Sequence, residues 1–199
     1  MSSLIRNKTI YNHRKLRFVN NFNIPDDRLM IRIYTLALLL FAAVASIQAQ
    51  TLYKVERNGL YGYIDAANDT VIACEYIHAY TDSIKTLGFV FDSRNRKIVC
   101  FNNKGERLFY VFRYDNGPDY IQEGLFRIED EKGLIGFADS TGKVVITPQF
   151  KFAFPFTDGK AKVTFEGELK DVPDSKGSKH YWDSKNWFCI DRQGFQIKQ

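Results

Sequence analysis

The chain has 199 residues, 45% hydrophobic and 26% charged, the balance of a folded domain and not of a disordered tract. Its formal charge of +5 invites a nucleic-acid reading, but seven of the 28 basic and two of the 23 acidic residues lie in residues 1–49, leaving 21 of each sign in residues 50–199. A body without net charge has no excess from which to build a cationic surface for phosphate, so nucleic acid is set aside as a partner.

Taken in chain order, residues 1–29 are polar and show no period, whereas Met30 to Gln50 reads as a secretory signal. Arg32 supplies the positive start, an apolar core runs from Ile33 to Ala45, and Ile47-Gln48-Ala49 offers small-residue spacing before a cut at Gln50. The run is shorter than the roughly 20 apolar residues a spanning helix needs. Translation is therefore expected to begin at Met30, with 1–29 a mis-assigned or unstructured extension and 30–49 the signal peptide. A very long leader and an uncleaved anchor are the alternatives. The protein is expected to be exported, to the periplasm, the outer surface or the medium, with no stable membrane span after cleavage.

Seventeen Phe and eleven Tyr in the whole chain tilt it toward β structure, and the part after residue 50 repeats. Leu52-Tyr53-Lys54-Val55-Glu56 followed by Gly59-Leu60-Tyr61-Gly62-Tyr63-Ile64-Asp65 aligns with Leu125-Phe126-Arg127-Ile128-Glu129 followed by Gly133-Leu134-Ile135-Gly136-Phe137-Ala138-Asp139. With the Asp as ruler, a degenerate copy ends at Asn102 and a fourth at Asp191. The first two steps are 37 residues each and the last is 52, which places a polar insertion at 166–185. Short apolar runs separated by turn signals predict strands. Asp65, Asn102, Asp139 and Asp191 open the turns, and Gly105, Gly142 and Gly194 supply positive φ three positions later, with Asn68 in that place in the first copy. The expectation is an all-β chain of antiparallel three-stranded meanders, about 52–87, 88–123 and 124–165, with a partial unit at 186–199, over a domain of 50–199. Whether the units form a solenoid, an open barrel or a propeller-like sheet is left open.

The run Gly133 to Val163, with Gly142-Lys143-Val144-Val145-Ile146-Thr147-Pro148-Gln149-Phe150 and Phe156-Thr157-Asp158-Gly159-Lys160-Ala161-Lys162-Val163, resembles the bacterial WG-repeat family. The resemblance extends over nearly all of 52–199, although no literal Trp-Gly pair occurs. The tryptophan position holds Tyr61, Ile98, Ile135 and Trp187, and the glycine position keeps Gly62 and Gly136. It implies an architecture and no activity, so no catalytic residue and no cofactor is carried over.

The residues themselves point the same way. A once-per-unit Asp fits a turn better than a metal ligand, and no copy has the acidic density of a calcium loop. His78 and His180 lack ligand spacing, so no metal is expected. Cys74, Cys100 and Cys189 are expected as buried thiols, two of them at the packing position of Tyr63 and Phe137, although pairing of any two is left open. Tyr181 and Trp182, on the insertion, are the candidate partner contacts, unless they fold back beside Trp187. The functional expectation is an exported, non-catalytic binding or scaffold module with a protein partner. The alternatives are a glycan binder of the cell envelope and an enzyme of unrecognised type.

Overall fold

The computed structural model describes residues 50–198 together with Arg32, Tyr34 and Thr35. The extension over 1–29 and the signal segment over 30–49 otherwise lie outside the described residues. Among these residues no helix is long and apolar enough to cross a membrane.

Residues 52–198 form four successive meanders. The first is β1 (Leu52–Arg57), β2 (Leu60–Ile64) and β3 (Thr70–Tyr76), followed by the short β4 (His78–Ala79) and β5 (Ser83–Ile84). The second is β6 (Leu87–Asp92), β7 (Lys97–Asn102) and β8 (Arg107–Val111), followed by β9 (Arg113–Tyr114) and β10 (Gly117–Pro118). The third is β11 (Leu125–Glu129), β12 (Ile135–Asp139) and β13 (Val144–Phe150), with β14 (Phe152–Ala153) as its tail. The fourth opens with β15 (Ala161–Thr164), is interrupted by the hairpin β16 (Glu168–Asp171) and β17 (His180–Asp183), and closes with β18 (Phe188–Ile190) and β19 (Gln196–Ile197).

The first hairpin of every unit has one register. Lys54 faces Tyr63, Phe89 faces Cys100, Arg127 faces Phe137 and Lys162 faces Cys189. This register corrects the expected partial unit at 186–199: the fourth unit begins at Ala161, before the insertion, and is a complete meander. The insertion lies between its first and second strands, and it is a hairpin, not a loop.

Units are joined by handing over a strand. The end of one unit pairs with the first strand of the next: Ala79 with Val90 and Ala153 with Val163 through the tails, and Val111 with Ile128 through the third strand itself. One residue further on the same bond recurs at each joint: the N–H groups of Tyr80, Phe112 and Phe154 donate to the carbonyls of Phe89, Arg127 and Lys162 at 2.9, 3.1 and 2.9 Å. The result is three larger antiparallel sheets, β3-β2-β1-β5, β13-β12-β11-β8-β7-β6-β4 and β14-β15-β18-β19, beside the two-stranded β9-β10 and β16-β17, none of them closed.

The glycine of the Trp-Gly position has a steric reason. Tyr61 faces Tyr76 and Tyr63 faces Ile72, so two steps along β2 match four along β3 in a bulge. A β-carbon on Gly62 would stand 2.4 Å from the Ile72 carbonyl oxygen, and one on Gly136 would stand 2.3 Å from that of Ile146. In the second unit Val99 occupies this position. There Ile98, Val99 and Cys100 face Val111, Tyr110 and Phe109 in step, and β8 is five residues long where β3 and β13 are seven.

The middle sheet is buried on both faces. Val99 belongs to a cluster with Leu52, Tyr63, Ile84 and Val90, while its neighbours Ile98 and Cys100 pack on the other side with Val111, Phe126 and Ile128. A third cluster joins Phe137, Phe150, Phe156, Val163 and Ile190 across the last two units. Fully burying a side chain such as Phe137 stabilises the fold by about 1.5–3 kcal/mol. Burial on both faces is why β7 and β12 carry the unalternated runs Ile98–Phe101 and Ile135–Ala138, and why β11 is buried from Leu125 to Ile128 even at Arg127.

Candidate functional site

The recurring Asp and Asn side chains are occupied by their own backbone. Oδ1 of Asp65 accepts from the amides of Ala67 and Asp69, both at 2.9 Å. Asn102 does the same for Lys104 and Glu106, Asp139 for Thr141 and Lys143, and Asp191 for Gln193 and Phe195, at 2.9–3.1 Å. The Thr141 hydroxyl also donates to Asp139, and this bond, ahead of the two amides, holds the carboxyl below its usual range. Asp130, which the 37-residue ruler passes over, makes the same pair of bonds to Lys132 and Leu134 at the preceding hairpin. The signal for it was present in Asp130-Glu131-Lys132-Gly133, the same turn at a different place in the unit.

The turn glycines do a second job. Gly105, Gly142 and Gly194 have φ of +79°, +90° and +90°. A β-carbon on each would meet Val71 at 2.5 Å, Leu108 at 2.7 Å and Ile146 at 3.4 Å, always a side chain on the third strand of the preceding unit. Asn68, at φ +66°, holds this place in the unit that has no other meander before it among the described residues.

Three exposed aromatic side chains gather at one place. The segment 112–122, the tail at 152–155 and His180 of the insertion enclose a cleft of about 700 Å³. Tyr114, Tyr120 and Phe154 line it and are 51%, 64% and 44% exposed. The Tyr114 and Tyr120 rings meet edge-on at 5.8 Å. Behind them the aromatic contacts continue from Phe112 to Phe152 at 6.1 Å, from Phe152 to Phe154 at 5.3 Å and from Phe154 to Trp187 at 5.4 Å.

The floor of the cleft is an ion pair. Arg127 donates from Nε to Asp119 Oδ2 at 2.9 Å and from an Nη to Oδ1 at 2.6 Å, with the two side chains only 3% and 1% exposed. The Arg127 amide also donates to Oδ2, and the other Nη donates to the Ala153 carbonyl at 3.1 Å. The guanidinium lies 4.0 Å from the centre of the Phe112 ring. A forked carboxylate, a carbonyl and a ring face satisfy the cation and fix loop 112–122 against the joint between the third and fourth units.

Of the two residues singled out on the insertion, Trp182 packs inward. Its ring stacks on Phe152 at 5.2 Å and 18°, and its indole N–H donates to the Glu166 carbonyl at 2.9 Å. Tyr181, one residue earlier and on the other face of the strand, is 44% exposed. His180 lines the cleft with Nδ1 2.7 Å from Asp171 Oδ1. The residues missed from sequence are Tyr114, Tyr120, Arg127 and Asp119. The only hint in the sequence was that 112–124 is the longest connection between units.

Of the cysteines, Cys100 is fully buried and burial pushes its thiol up to about 12. Cys74 is a half-buried free thiol, and Cys189 is half-buried on β18. Among the described residues no group of three or more His, Cys, Asp or Glu side chains is placed to hold a metal ion.

A chain of strand-exchanging antiparallel meanders is an all-β repeat protein. Residues 135–168 match the family model described as WG containing repeat. The match starts at the Ile135-Gly136 pair and ends after β15, so it takes two strands of the third unit, its tail and the first strand of the fourth. No curated protein and no solved structure matches the chain.

Proposed function

We propose that residues 50–198 form an exported, non-catalytic binding module whose partner is a protein. The observation that carries this reading is the aromatic cleft: exposed Tyr114, Tyr120 and Phe154 rest on a fully hydrogen-bonded Arg127–Asp119 floor. Rigid rings on a fixed base give contact area at little cost in side-chain entropy, the property that concentrates binding energy in Tyr and Trp. The non-catalytic part rests on the repeated Asp and Asn side chains, each engaged by the amides of its own turn. Export rests on Arg32 and the apolar run 33–45. The module is to be tested by retention of the chain on cell-envelope fractions. Tyr114→Ala/Tyr120→Ala should lose most of the retention shown by the parent, whereas Tyr53→Ala, also an exposed tyrosine, should keep it. Equal retention by all three would exclude the cleft as the contact.

A further inference from the structure

The cleft combines ring faces with polar groups of both senses. Tyr114, Tyr120 and Phe154 are its exposed rings. The Tyr114 and Tyr120 hydroxyls and the Gln122 side-chain amide each donate and accept, and none of them is hydrogen-bonded to another described residue. His180 has Nδ1 2.7 Å from Asp171 Oδ1; a carboxylate accepts, so the neutral ring carries its proton on Nδ1 and leaves Nε2 as an acceptor. Arg113 adds donors, and Asp115, whose Oδ1 accepts from Asn116 at 3.3 Å, keeps Oδ2 as an acceptor. With Arg127 closed on Asp119, the lining holds two guanidinium groups and two carboxylates, so it selects neither an anion nor a cation.

The backbone of both walls is already spent. The Phe154 N–H donates to Lys162 and the Ala153 carbonyl accepts from Arg127, while Pro155 has no N–H. Opposite them the Phe112 N–H donates to Arg127 and the Phe112 carbonyl accepts from Asp119. An added β-strand needs an open backbone edge and finds none here. Recognition therefore falls to side chains, in a cleft of about 700 Å³. That is the size of a small-ligand site, roughly 300–1,000 Å³, whereas two protein surfaces meet over about 800 Å² each. A pyranose meets each of these conditions. It is uncharged, its C–H face lies on the negative face of an aromatic ring, and each of its hydroxyls donates and accepts at once. We infer that the cleft between segments 112–122 and 152–155 binds neutral pyranose units of a glycan carried by the partner protein. This deepens the binding-module reading and rests on it.

The test titrates the intact chain with neutral hexasaccharides of glucose, mannose, galactose and N-acetylglucosamine. Fluorescence follows binding, since Trp187 lies 5.4 Å from Phe154. A galacturonate hexasaccharide and an end-blocked Gly/Ser nonapeptide are the comparisons. Saturable binding of at least one neutral hexasaccharide, and of neither comparison, is expected. It should weaken about tenfold in Tyr120→Ala, less in Tyr120→Phe, and not at all in Tyr53→Ala. Because Tyr120 is exposed, its variants should keep the denaturation midpoint of the parent. Gln122→Ala, which removes an amide and no ring, should also weaken binding and guards against a folding defect in Tyr120→Ala. The inference is overturned by a silent neutral panel, by equal binding of the galacturonate or the peptide, or by indifference to both Tyr120→Ala and Gln122→Ala. On envelope fractions, periodate, which cleaves sugar rings, and protease should each abolish the retention that depends on Tyr114 and Tyr120. Tyrosine-dependent retention that survives periodate removes the sugar and keeps the module. Loss to periodate with resistance to protease overturns the protein as carrier. Retention that ignores both tyrosines removes the module itself.

Discussion

Gly105 lies directly on Val71 of the preceding unit, where a β-carbon would stand 2.5 Å from the Val71 Cγ1. Gly142 on Leu108 repeats the relationship one unit later, so a turn that looks local in sequence is also the contact surface between neighbours. Nearest-neighbour contacts of this kind carry much of the stability of a repeat array.

Two substitutions separate the two demands on these glycines. Gly133→Ala meets open space, so its cost should be the left-handed backbone alone, about 1–2 kcal/mol. Gly142→Ala adds the collision with Leu108 and Leu87, and should cost roughly 1 kcal/mol or more beyond that. Urea denaturation of both variants checks the difference. Equal losses would mean that the turn does not press on the previous unit.

The bulge glycine should be the least replaceable residue of the unit. At Gly136 the obstacle is the Ile146 carbonyl oxygen and the Pro148 backbone, which have no rotamer to yield. Gly136→Ala is expected to cost about 3 kcal/mol or more, or to leave too little folded protein to measure, as read by circular dichroism and denaturation midpoint.

Asp119→Ala should destabilise by about 3–5 kcal/mol, since it strands the buried Arg127 cation. The pair as a whole is worth much less than that, so Asp119→Leu/Arg127→Met should recover most of the loss. A double-mutant cycle measures the coupling, and a double variant as unstable as the single one would contradict this account.

Alkaline pH should loosen the first unit. The Tyr63 hydroxyl donates to the Thr81 carbonyl at 2.6 Å, and burial pushes its pKa up to about 12; burial does the same to Tyr76. In the unfolded chain these groups ionise nearer 10, so between about 10 and 12 the folded state holds protons that the unfolded state has released. Stability is therefore fully present below pH 10 and falls as pH rises through that window. Tyr63→Phe should flatten the fall while costing about 1 kcal/mol at neutral pH from the lost hydrogen bond. An unchanged slope in a pH series of melts would refute the assignment.

Glu129 gives a second pH limb. Burial, the largest influence, raises its carboxyl despite Lys97 at 3.4 Å. A carboxyl raised in the folded state keeps its proton where the unfolded one has lost it, so stability declines as pH rises from the usual glutamate range through the folded value. Relative to the parent, Glu129→Gln should gain above that window and lose the gain below it. Paired melts at pH 4 and pH 7 read the sign.

The four-fold meander was legible in the sequence because its signals are local. An Asp or Asn that captures the amides two and four residues ahead, with Gly or Asn at the left-handed position, bends the chain wherever it stands. Asp65, Asn102, Asp139 and Asp191 all do so. The same reasoning failed at the fourth unit, because Ala161–Thr164 identifies itself as a first strand only by pairing with Phe188–Ile190 across the insertion.

What the sequence determined by itself was thus the repeating hairpin and turn, and the balance of charge outside residues 1–49. Only the tertiary structure decided how the units join and where a ligand has room. Strand hand-over pairs residues such as Val111 and Ile128 that no turn connects. The cleft brings Tyr114, Tyr120, Phe154 and His180 together from three separate stretches of chain. Turn hydrogen bonds span four residues and survive in any context, whereas ring contacts between distant segments exist only after the sheets have packed. Periodicity therefore revealed the first and was silent on the second.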